Sequence, residues 1–465
     1  MSKPLVVVFA ILILNIGPVR FTADAAERVD LIIRGGTVVT VDPSSRLIEN
    51  GAVAVKGERI VAVGPDAEIA AKYTSSRTIN AAGKVVMPGL INTHTHVPMV
   101  LFRGIADDLV LMEWLQKFIF PAEAKNVDEQ FVRWGTRLGC LEMIRGGTTT
   151  YVDMYYFEDA IADETARAGM RAVLGETLID FPAPDNKTWD AGMTYMEKFA
   201  SKWKAHPLIT AAIAPHAPYT VSTEHLKQAH SFSERFQVPL VIHIAEDQAE
   251  TKTIQERYGS SSVAYLERIG LLDRRVIAAH MVWPTSDDIA TLAKRGVGVG
   301  HCPQSNMKIS AGAAPVPQML KAGVAVGLGT DGAASNNDLS LWEEMDTAAK
   351  LHKLISKDPT VINAREALEM ATIGGARAIH QEKEIGSLEA GKRADLIIVD
   401  MTSAHQIPVY NVYSQLVYAT KASDVETVLI NGKVVMEGRR VLTIDEPTVR
   451  LKANEYRDRI RKSVS

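Results

Sequence analysis

The feature that most constrains this fold is an alternation that runs from about residue 85 to about residue 380. Short runs rich in β-branched residues alternate there with longer segments that carry apolar residues at helical spacing and begin near Ser, Thr or Asp. Such alternation is typical of βαβ units and a parallel sheet. Eight strands are predicted, at residues 85–92, 148–154, 171–175, 209–215, 240–245, 276–280, 296–300 and 324–329. Eight strand–helix units close a (β/α)₈ (TIM) barrel, which takes about 250 residues.

The segments that flank the predicted barrel are β-rich and contain hairpin signals. Residues 29–33 and 36–40 precede the barrel; residues 394–399 and 425–430 follow it, and the last run ends in the turn dipeptide Asn431-Gly432. We expect the two ends to form one β unit, with the barrel inserted between its halves. The predicted boundaries are 26–84 and 385–445 for the β unit, 85–384 for the barrel and 446–465 for a C-terminal helix.

The first 25 residues resemble a secretory leader. Lys3 precedes an apolar run over residues 5–16, and Ala23-Asp24-Ala25 offers small residues at the positions that a signal peptidase reads. The alternative is an uncleaved membrane anchor, but the run is shorter than the roughly 20 apolar residues that span a bilayer. We expect a signal peptide over residues 1–25, a periplasmic or secreted protein, and no stable membrane anchor.

Cysteine content and charge exclude two further classes. Cys140 and Cys302 are the only cysteines, so no disulfide framework is expected, and both thiols should be free and buried. The formal net charge is −4, and no dense run of Lys and Arg interleaves with aromatic residues, which argues against a nucleic-acid partner. A homo-oligomer is left open.

Polar residues gather at the C-terminal ends of the predicted strands, where barrel enzymes have their active sites. His94 and His96 end the first strand two residues apart, so both side chains point the same way. The ends of strands four, five, six and eight carry His216, His243, His280 and Asp331. A single strand-end histidine is more often a hydrogen-bonded structural group, and a single aspartate more often caps a turn. Convergence of all six on one rim favours a metal site.

Three neutral imidazoles and one carboxylate suit Zn²⁺, Fe²⁺ or Mn²⁺ and leave a coordination position open for water. We assign His94, His96, His243 and Asp331 to a divalent metal, with zinc favoured.

Two further residues are expected to act beside the metal. Glu246, three residues beyond His243, can lie near the metal without binding it and is expected to shuttle a proton; the alternative is a charge that interacts with a helix dipole. His280 is expected to hydrogen-bond the attacking hydroxide or the developing oxyanion, the alternative being a metal ligand.

The assembled motifs resemble the amidohydrolase superfamily, specifically its branch of aminohydrolases similar to 5′-methylthioadenosine/S-adenosylhomocysteine deaminase. The resemblance covers nearly the whole chain after the leader. It rests on VMPGLINTHTH (86–96), APHAPYTVS (214–222), HIAE (243–246), HCPQSN (301–306), GTDG (329–332) and GSLEAGKRADL (386–396).

The resemblance implies a composite β-sandwich built from both termini. It implies one metal rather than two, because no lysine suited to bridge two metals follows strand four. It also implies that Glu123 binds the ribose hydroxyls and that His216 contacts the purine ring. Trp114, in the same segment as Glu123, is a candidate substrate contact. The alternatives are a packed aromatic residue for Trp114 and a solvated helix charge for Glu123. Arg171 and Lys187 are candidates for holding the carboxylate of S-adenosylhomocysteine.

The implied reaction is hydrolytic deamination of an adenosine-type nucleoside. Metal-bound hydroxide attacks the C6 carbon, Asp331 and His280 orient the water, Glu246 carries its proton to a ring nitrogen, and ammonia leaves. Since the same scaffold serves several chemistries, hydrolysis of another amino- or chloro-substituted heterocycle, such as guanine, a pterin or a triazine, stays open. So does a non-catalytic metal-binding barrel.

Overall fold

The computed structural model describes residues 1–8 and 26–464. Most of the expected leader, with its cleavage site after Ala25, lies outside the described residues. Within the described part of the chain, no helix is both long and apolar enough to cross a membrane.

Both ends of the chain build a single nine-stranded sheet, as predicted. Its strands are β1 (Glu27–Val39), β2 (Leu47–Lys56), β3 (Arg59–Pro65), β4 (Tyr73–Asn80) and β5 (Lys84–Pro88) from the N-terminal part, and β14 (Leu396–Asp400), β15 (Val425–Ile430), β16 (Lys433–Glu437) and β17 (Arg440–Val441) from the C-terminal part. Strand β5 joins the two halves, because it pairs parallel to β1 and antiparallel to β14. The sheet has an apolar core of its own, to which Ile33, Val53, Val86, Leu396 and Leu429 contribute.

The segment between these halves forms the predicted (β/α)₈ barrel. Its parallel strands are β6 (Leu90–Thr95), β7 (Thr148–Tyr155), β8 (Arg171–Leu178), β9 (Ile209–Pro215), β10 (Leu240–Ile244), β11 (Val276–His280), β12 (Gly298–His301) and β13 (Ala325–Leu328), in this spatial order. At the seam between the last and the first strand, the Asp331 amide donates to the His94 carbonyl over 2.9 Å. This bond ties the end of β13 to the end of β6.

The first predicted strand is wrong in its extent. Residues 85–92 do not form one barrel strand: the chain leaves β5 at Pro88, crosses at Gly89 and enters the barrel with β6 at Leu90. A Cβ atom on Gly89 would lie 2.2 Å from the Thr149 side chain, so only glycine fits this crossing. Both halves of the run are apolar because both are buried, and hydrophobic pattern alone does not reveal a change of sheet.

The helices in the described part of the chain are α1 (Asp66–Lys72), α2 (Leu111–Glu113), α3 (Phe120–Asn126), α4 (Glu129–Arg145), α5 (Glu158–Ala168), α6 (Trp189–Trp203), α7 (Thr223–Phe236), α8 (Gln248–Tyr258), α9 (Ser262–Arg268), α10 (Ser286–Arg295), α11 (Pro303–Lys308), α12 (Val316–Lys321), α13 (Leu341–Ser356), α14 (Ala364–Met370), α15 (Ile373–Ala378), α16 (Val412–Tyr418) and α17 (Glu446–Val464). Helices α2 to α15 follow the barrel strands, α1 packs on the terminal sheet, and α16 and α17 belong to the C-terminal part of the chain. A π-helical turn, Trp114–Ile119, joins α2 to α3, and 3₁₀ turns lie at Val97–Phe102, Ala404–Gln406 and Ala422–Asp424. The side chains of Thr188, Ser222, Asp247 and Thr285 cap α6, α7, α8 and α10.

The barrel rests on the terminal sheet through its lower rim, where the strands begin. Arg171, the first residue of β8, donates two hydrogen bonds of 2.7 and 3.3 Å to Asp395, which directly precedes β14; both side chains are buried. The opposite rim, where the strands end, is therefore left for a site. Cys140 in α4 and Cys302 after β12 are buried and not bridged.

Candidate active site

The strand ends bring the predicted metal ligands together on the upper rim. Ligand atoms of His94, His96 and His243 all lie within 4.8 Å of one another, and the same holds for His94, His280 and Asp331. The Nε2 atoms of His96 and His243 are 3.4 Å apart. One ion placed between these atoms would contact imidazoles from β6 and β10 and the carboxylate after β13.

The orientations of the imidazoles suit a metal. Nδ1 of His96 contacts the Met154 carbonyl at 2.5 Å, and Nδ1 of His243 contacts the His216 carbonyl at 2.8 Å. Because a carbonyl only accepts, each Nδ1 carries a proton and each Nε2 faces the centre, where its lone pair is available whenever the ring is neutral. Both ring nitrogens of His94, which is 1% exposed, lack a hydrogen-bond partner. A buried imidazole without a partner is costly, and a metal ion would satisfy it.

Asp331 is held rigidly at the centre of this cluster. Its Oδ1 lies 3.2 Å from His96 Nε2 and 3.5 Å from His94 Nε2. Its Oδ2 accepts hydrogen bonds from the hydroxyls of Ser305 at 2.6 Å and Ser335 at 2.9 Å. Burial raises the pKa of Asp331, but the facing imidazoles and their charge outweigh it and hold the pKa well below its usual value. The carboxylate is therefore anionic.

The ionisation states favour a cation beside Asp331. Burial lowers the pKa of His94 to about 4 and that of His243 well below its usual value, so both are neutral and able to coordinate. Burial also opposes a charge on His96, but Asp331 outweighs burial and raises the pKa of His96 to about 8. Positive charge is stabilised at this point of the rim.

Glu246 and His280 face each other beside the cluster. Oε1 of Glu246 is 3.7 Å from Nε2 of His280, and both side chains are buried. Nδ1 of His280 lies 3.0 Å from Oδ1 of Asn306, which directs Nε2 into the site. Burial, reinforced by the negative charges of Asp331 and Glu250, raises the pKa of Glu246 well above its usual value. A carboxyl group with a raised pKa is suited to proton transfer.

One pocket contains these groups together with all three predicted substrate contacts. Glu123, Trp114 and His216 line it with His96, His243, Glu246, His280 and Asp331, whereas His94 lies beneath its floor. An apolar wall comes from Met99, Leu111, Trp114, Leu115, Ile119 and Phe120. The lining therefore combines apolar side chains with carboxylates and imidazoles.

Glu123 and His216 have defined partners. Tyr155 donates its hydroxyl to Glu123 Oε1 at 2.8 Å, and burial raises the pKa of Glu123 to about 7. Nδ1 of His216 lies 2.9 Å from Thr220 Oγ1, and burial lowers the pKa of His216 to about 3. Hence His216 is a neutral ring beside the pocket.

The two candidates for a carboxylate-binding cation are wrong. Arg171 is bound to Asp395 at the lower rim, at the other end of the barrel. The Lys187 ammonium donates to the carbonyls of Ala183 at 2.7 Å and Pro184 at 3.2 Å. Neither residue lines the pocket. Arg171 is the first residue of the predicted third strand and therefore already lay at the end opposite the site, whereas its partner Asp395 could not be identified from the sequence.

Sequence reasoning missed several residues that the structure places at or behind the pocket. Tyr155, Thr177 and Tyr219 line it, and Ser305, Asn306 and Glu250 support residues that do. Ser305 and Asn306 lie within the motif HCPQSN, which was noted without a role for either residue. Both residues lie in helix α11, four and five residues beyond the end of β12, and their place in the motif was the only local signal.

Comparison with known proteins supports the same assignment. A family model described as Amidohydrolase family matches residues 85–435, and one described as Imidazolonepropionase-like composite domain, bacteria, matches residues 51–74. A 5-methylthioadenosine/S-adenosylhomocysteine deaminase of Syntrophobacter fumaroxidans is 51% identical over 420 residues, covering 90% of this chain and 96% of that protein. A 5′-deoxyadenosine deaminase of Methanosarcina mazei is 44% identical over 422 residues, covering 90% and 96%.

A solved structure resembles the whole fold. The crystal structure of an adenosine deaminase from Xanthomonas campestris with bound zinc matches at a TM-score of 0.93 and 40% identity, covering 94% of this chain and 100% of that one. The similarity therefore includes both the barrel and the terminal sheet.

Proposed function

Because this chain belongs to the amidohydrolase family, a family of metal-dependent hydrolases, we propose that it is a zinc-dependent deaminase of adenosine-type nucleosides. The observation that carries the proposal is the content of one pocket. It combines a cluster of metal-ligand type, the Glu246–His280 pair and the Glu123–Tyr155 pair. The first two suit hydrolysis of an aromatic amine, and the third suits recognition of a sugar hydroxyl.

His94, His96, His243 and Asp331 would hold a single zinc ion. Three observations fit such an ion. Both ring nitrogens of His94 lack a hydrogen-bond partner, His96 and His243 direct Nε2 towards the centre, and Asp331 is anionic. When bound, zinc supplies a Lewis acid and makes water nucleophilic near neutral pH.

Proton transfer is assigned to Glu246. Its carboxylate takes a proton from the attacking water and delivers it to the ring nitrogen next to C6. The hydroxyl proton of the resulting tetrahedral adduct then passes to the amino group, the C6–N bond breaks as the C6 carbonyl forms, and ammonia leaves with the keto product. Nε2 of His280, 3.7 Å from Glu246, and the Asp331 carboxylate orient the water and hold the developing oxyanion.

Substrate binding is assigned to the remaining lining residues. Glu123 Oε2 accepts hydrogen bonds from ribose hydroxyls, while Tyr155 holds Oε1. The neutral His216 contacts the purine ring, and Trp114, which is 8% exposed, contributes to the apolar wall. The described lining residues include no lysine or arginine that could bind the phosphates of a nucleic acid, which favours a small nucleoside.

The charges of the pocket also rank the substrates. Among the described residues that line it, Glu123, Glu246 and Asp331 are acidic, and the cationic candidates Arg171 and Lys187 are engaged elsewhere. No lysine or arginine is among the described lining residues, so a carboxylate on the 5′ substituent would lose its hydration without gaining a cationic partner, which disfavours its binding. We therefore place methylthioadenosine and 5′-deoxyadenosine ahead of S-adenosylhomocysteine.

Steady-state kinetics of the zinc-loaded protein test this function. The panel is adenosine, 5′-deoxyadenosine, methylthioadenosine, S-adenosylhomocysteine, guanine, a pterin and an amino- and a chlorotriazine, with ammonia release as the readout. We expect kcat/KM for methylthioadenosine to exceed that for S-adenosylhomocysteine at least about tenfold, the equivalent of about 1.4 kcal/mol. If no adenosine derivative is turned over, the proposed function is wrong.

Export of the protein is a separate proposal. It is supported by Lys3, the apolar run over residues 5–16 and the small residues of Ala23-Asp24-Ala25. N-terminal sequencing of the protein purified from its native host should find Ala26 as the first residue. An intact Met1 would contradict the leader.

A further inference from the structure

The turn that carries Glu246 has an unusual backbone. Strand β10 ends at Ile244, and Ala245 then adopts a left-handed conformation with φ of 52° before the chain enters α8 at Gln248. A residue with a Cβ atom is disfavoured in this region. Surrounding contacts must therefore hold the turn in place.

The carboxylate of Glu250 provides those contacts on one side of the turn. Its Oε1 accepts the Ala245 amide at 2.8 Å and the Ser262 hydroxyl at 2.8 Å, and its Oε2 accepts the Glu246 amide at 2.8 Å. Glu250 is 3% exposed. A single buried carboxylate thus binds two consecutive amides, the second belonging to Glu246 itself.

The other side of the turn is tied to the end of strand β11. The carbonyl of Ala245 accepts the amides of Val282 at 2.9 Å and Trp283 at 3.0 Å, just beyond His280. The same short turn therefore contains both the amides that Glu250 binds and the Ala245 carbonyl that binds the residues after β11. The separation between Glu246 and His280 is set across this turn.

We propose that Glu250 is a positioning residue that holds the Glu246 carboxylate in register with His280 for proton transfer. The inference rests on the proposed function, because it assumes that Glu246 moves the proton. A purely structural alternative exists: Glu250 is the third residue of α8, the position from which a glutamate commonly caps a helix. Capping alone would affect stability and not proton transfer.

A double-mutant cycle separates the two explanations. In Glu250→Gln the amide nitrogen cannot accept, so one of the two amides loses its partner and the turn shifts. We expect kcat for methylthioadenosine to fall about 10- to 100-fold, with zinc content retained and KM changed less than about threefold. In a Glu246→Gln background the same substitution should lower kcat less than about threefold, because the group it positions no longer transfers a proton.

Glu256→Gln is the matched control. Glu256 lies on the same helix with its side chain 67% exposed, so its substitution should leave kcat unchanged. If Glu250→Gln does not fold, Ser262→Ala replaces it, since it removes one donor to Glu250 and keeps the carboxylate. We expect a fall in kcat of about threefold or more, again absent in the Glu246→Gln background.

Several outcomes would overturn the inference. The first is an equal loss of kcat when Glu250→Gln is made in the parent and in Glu246→Gln. The second is an unchanged kcat in folded Glu250→Gln. The third is loss of zinc from Glu250→Gln together with its activity. An inactive parent protein would instead contradict the proposed function, so the two failures are distinguishable.

Discussion

The hydroxyl of Tyr155 donates a 2.8 Å hydrogen bond to Oε1 of Glu123 inside the pocket. Tyr155 belongs to barrel strand β7, whereas Glu123 belongs to the short helix α3 above the rim. The bond orients the carboxylate from a rigid element and leaves Oε2 to accept from a ligand. Glu123 is therefore presented as a hydrogen-bond acceptor at a defined position.

Glu123→Gln should weaken adenosine binding, because the amide cannot accept as the carboxylate does. We expect KM to rise about tenfold or more, with a smaller change in kcat. The matched substrate is 2′,3′-dideoxyadenosine, which lacks the 2′- and 3′-hydroxyls; with it, the variant and the parent should differ little. An equal loss with both substrates would show that Glu123 does not contact the ribose.

Substitution should separate metal binding from proton transfer. His243→Ala removes a ligand, so both zinc content and turnover should fall. Glu246→Gln keeps shape but cannot carry a proton, so kcat should fall about 10²-fold or more with zinc retained. Zinc analysis of the dialysed variants beside kcat is the measurement. Loss of zinc from Glu246→Gln would identify Glu246 as a ligand instead.

The two serines that bind Asp331 should contribute to metal affinity. Ser305→Ala removes the 2.6 Å bond to Oδ2, and Ser335→Ala removes the 2.9 Å bond to the same atom. Each should weaken zinc affinity, by about 10-fold or more for Ser305→Ala, and the double variant should lose more than either. Competition with a chelator measures this, and unchanged affinity in the double variant would contradict the role.

Asp338 should make stability depend on pH. Burial, aided by the charges of Glu343 and Glu142, raises its pKa from 3.8 to about 6. Because the folded protein binds this proton more tightly than the unfolded chain, stability falls as the pH rises through that interval. Asp338→Asn, which keeps an acceptor for the Ser340 amide, should therefore be more stable than the parent at pH 7.5, by up to about 3 kcal/mol.

Thermal unfolding at two pH values checks this prediction. The advantage of Asp338→Asn should be clear at pH 7.5 and smaller at pH 5, where the parent aspartate is largely protonated. A constant difference at both pH values would mean that the carboxyl group does not titrate as expected.

A close backbone contact makes Gly298 indispensable in β12. A Cβ atom there would lie 1.8 Å from the Ala378 carbonyl oxygen at the end of α15. We expect Gly298→Ala to lower the free energy of unfolding by about 3 kcal/mol or more, or to prevent folding. Gly64→Ala is the control, since its Cβ would meet only Ile69 Cδ1 at 3.8 Å. Comparable thermal stability of the two variants would contradict the prediction.

Local pattern was sufficient to predict much of the barrel and the cluster of polar side chains at its upper rim. Seven of the eight strands lie where β-branched runs predicted them, and β9 has the bounds that were expected. His94, His96, His243 and Asp331 could be chosen because residue type and position at a strand end are properties of a few neighbouring residues. The apolar side chains that line the pocket around Trp114 could not be chosen in this way, because residues of the hydrophobic core have the same apolar character.

The supporting contacts depended on residues far apart in the chain. Gly89 separates two sheets only because Thr149 and Asp395 pack against it, and Arg171 points away from the pocket because Asp395 lies beneath it. Nothing near Ser305 in the chain indicates that its hydroxyl meets Asp331, 26 residues later.

By itself the sequence determined which polar side chains meet at the upper rim of the barrel, because strand periodicity sets their positions. The tertiary structure decided which of their atoms face the centre, which carboxylate holds the turn of Glu246, and which cations are already engaged. Those choices depend on hydrogen bonds between distant segments, whose geometry exists only once the barrel has closed.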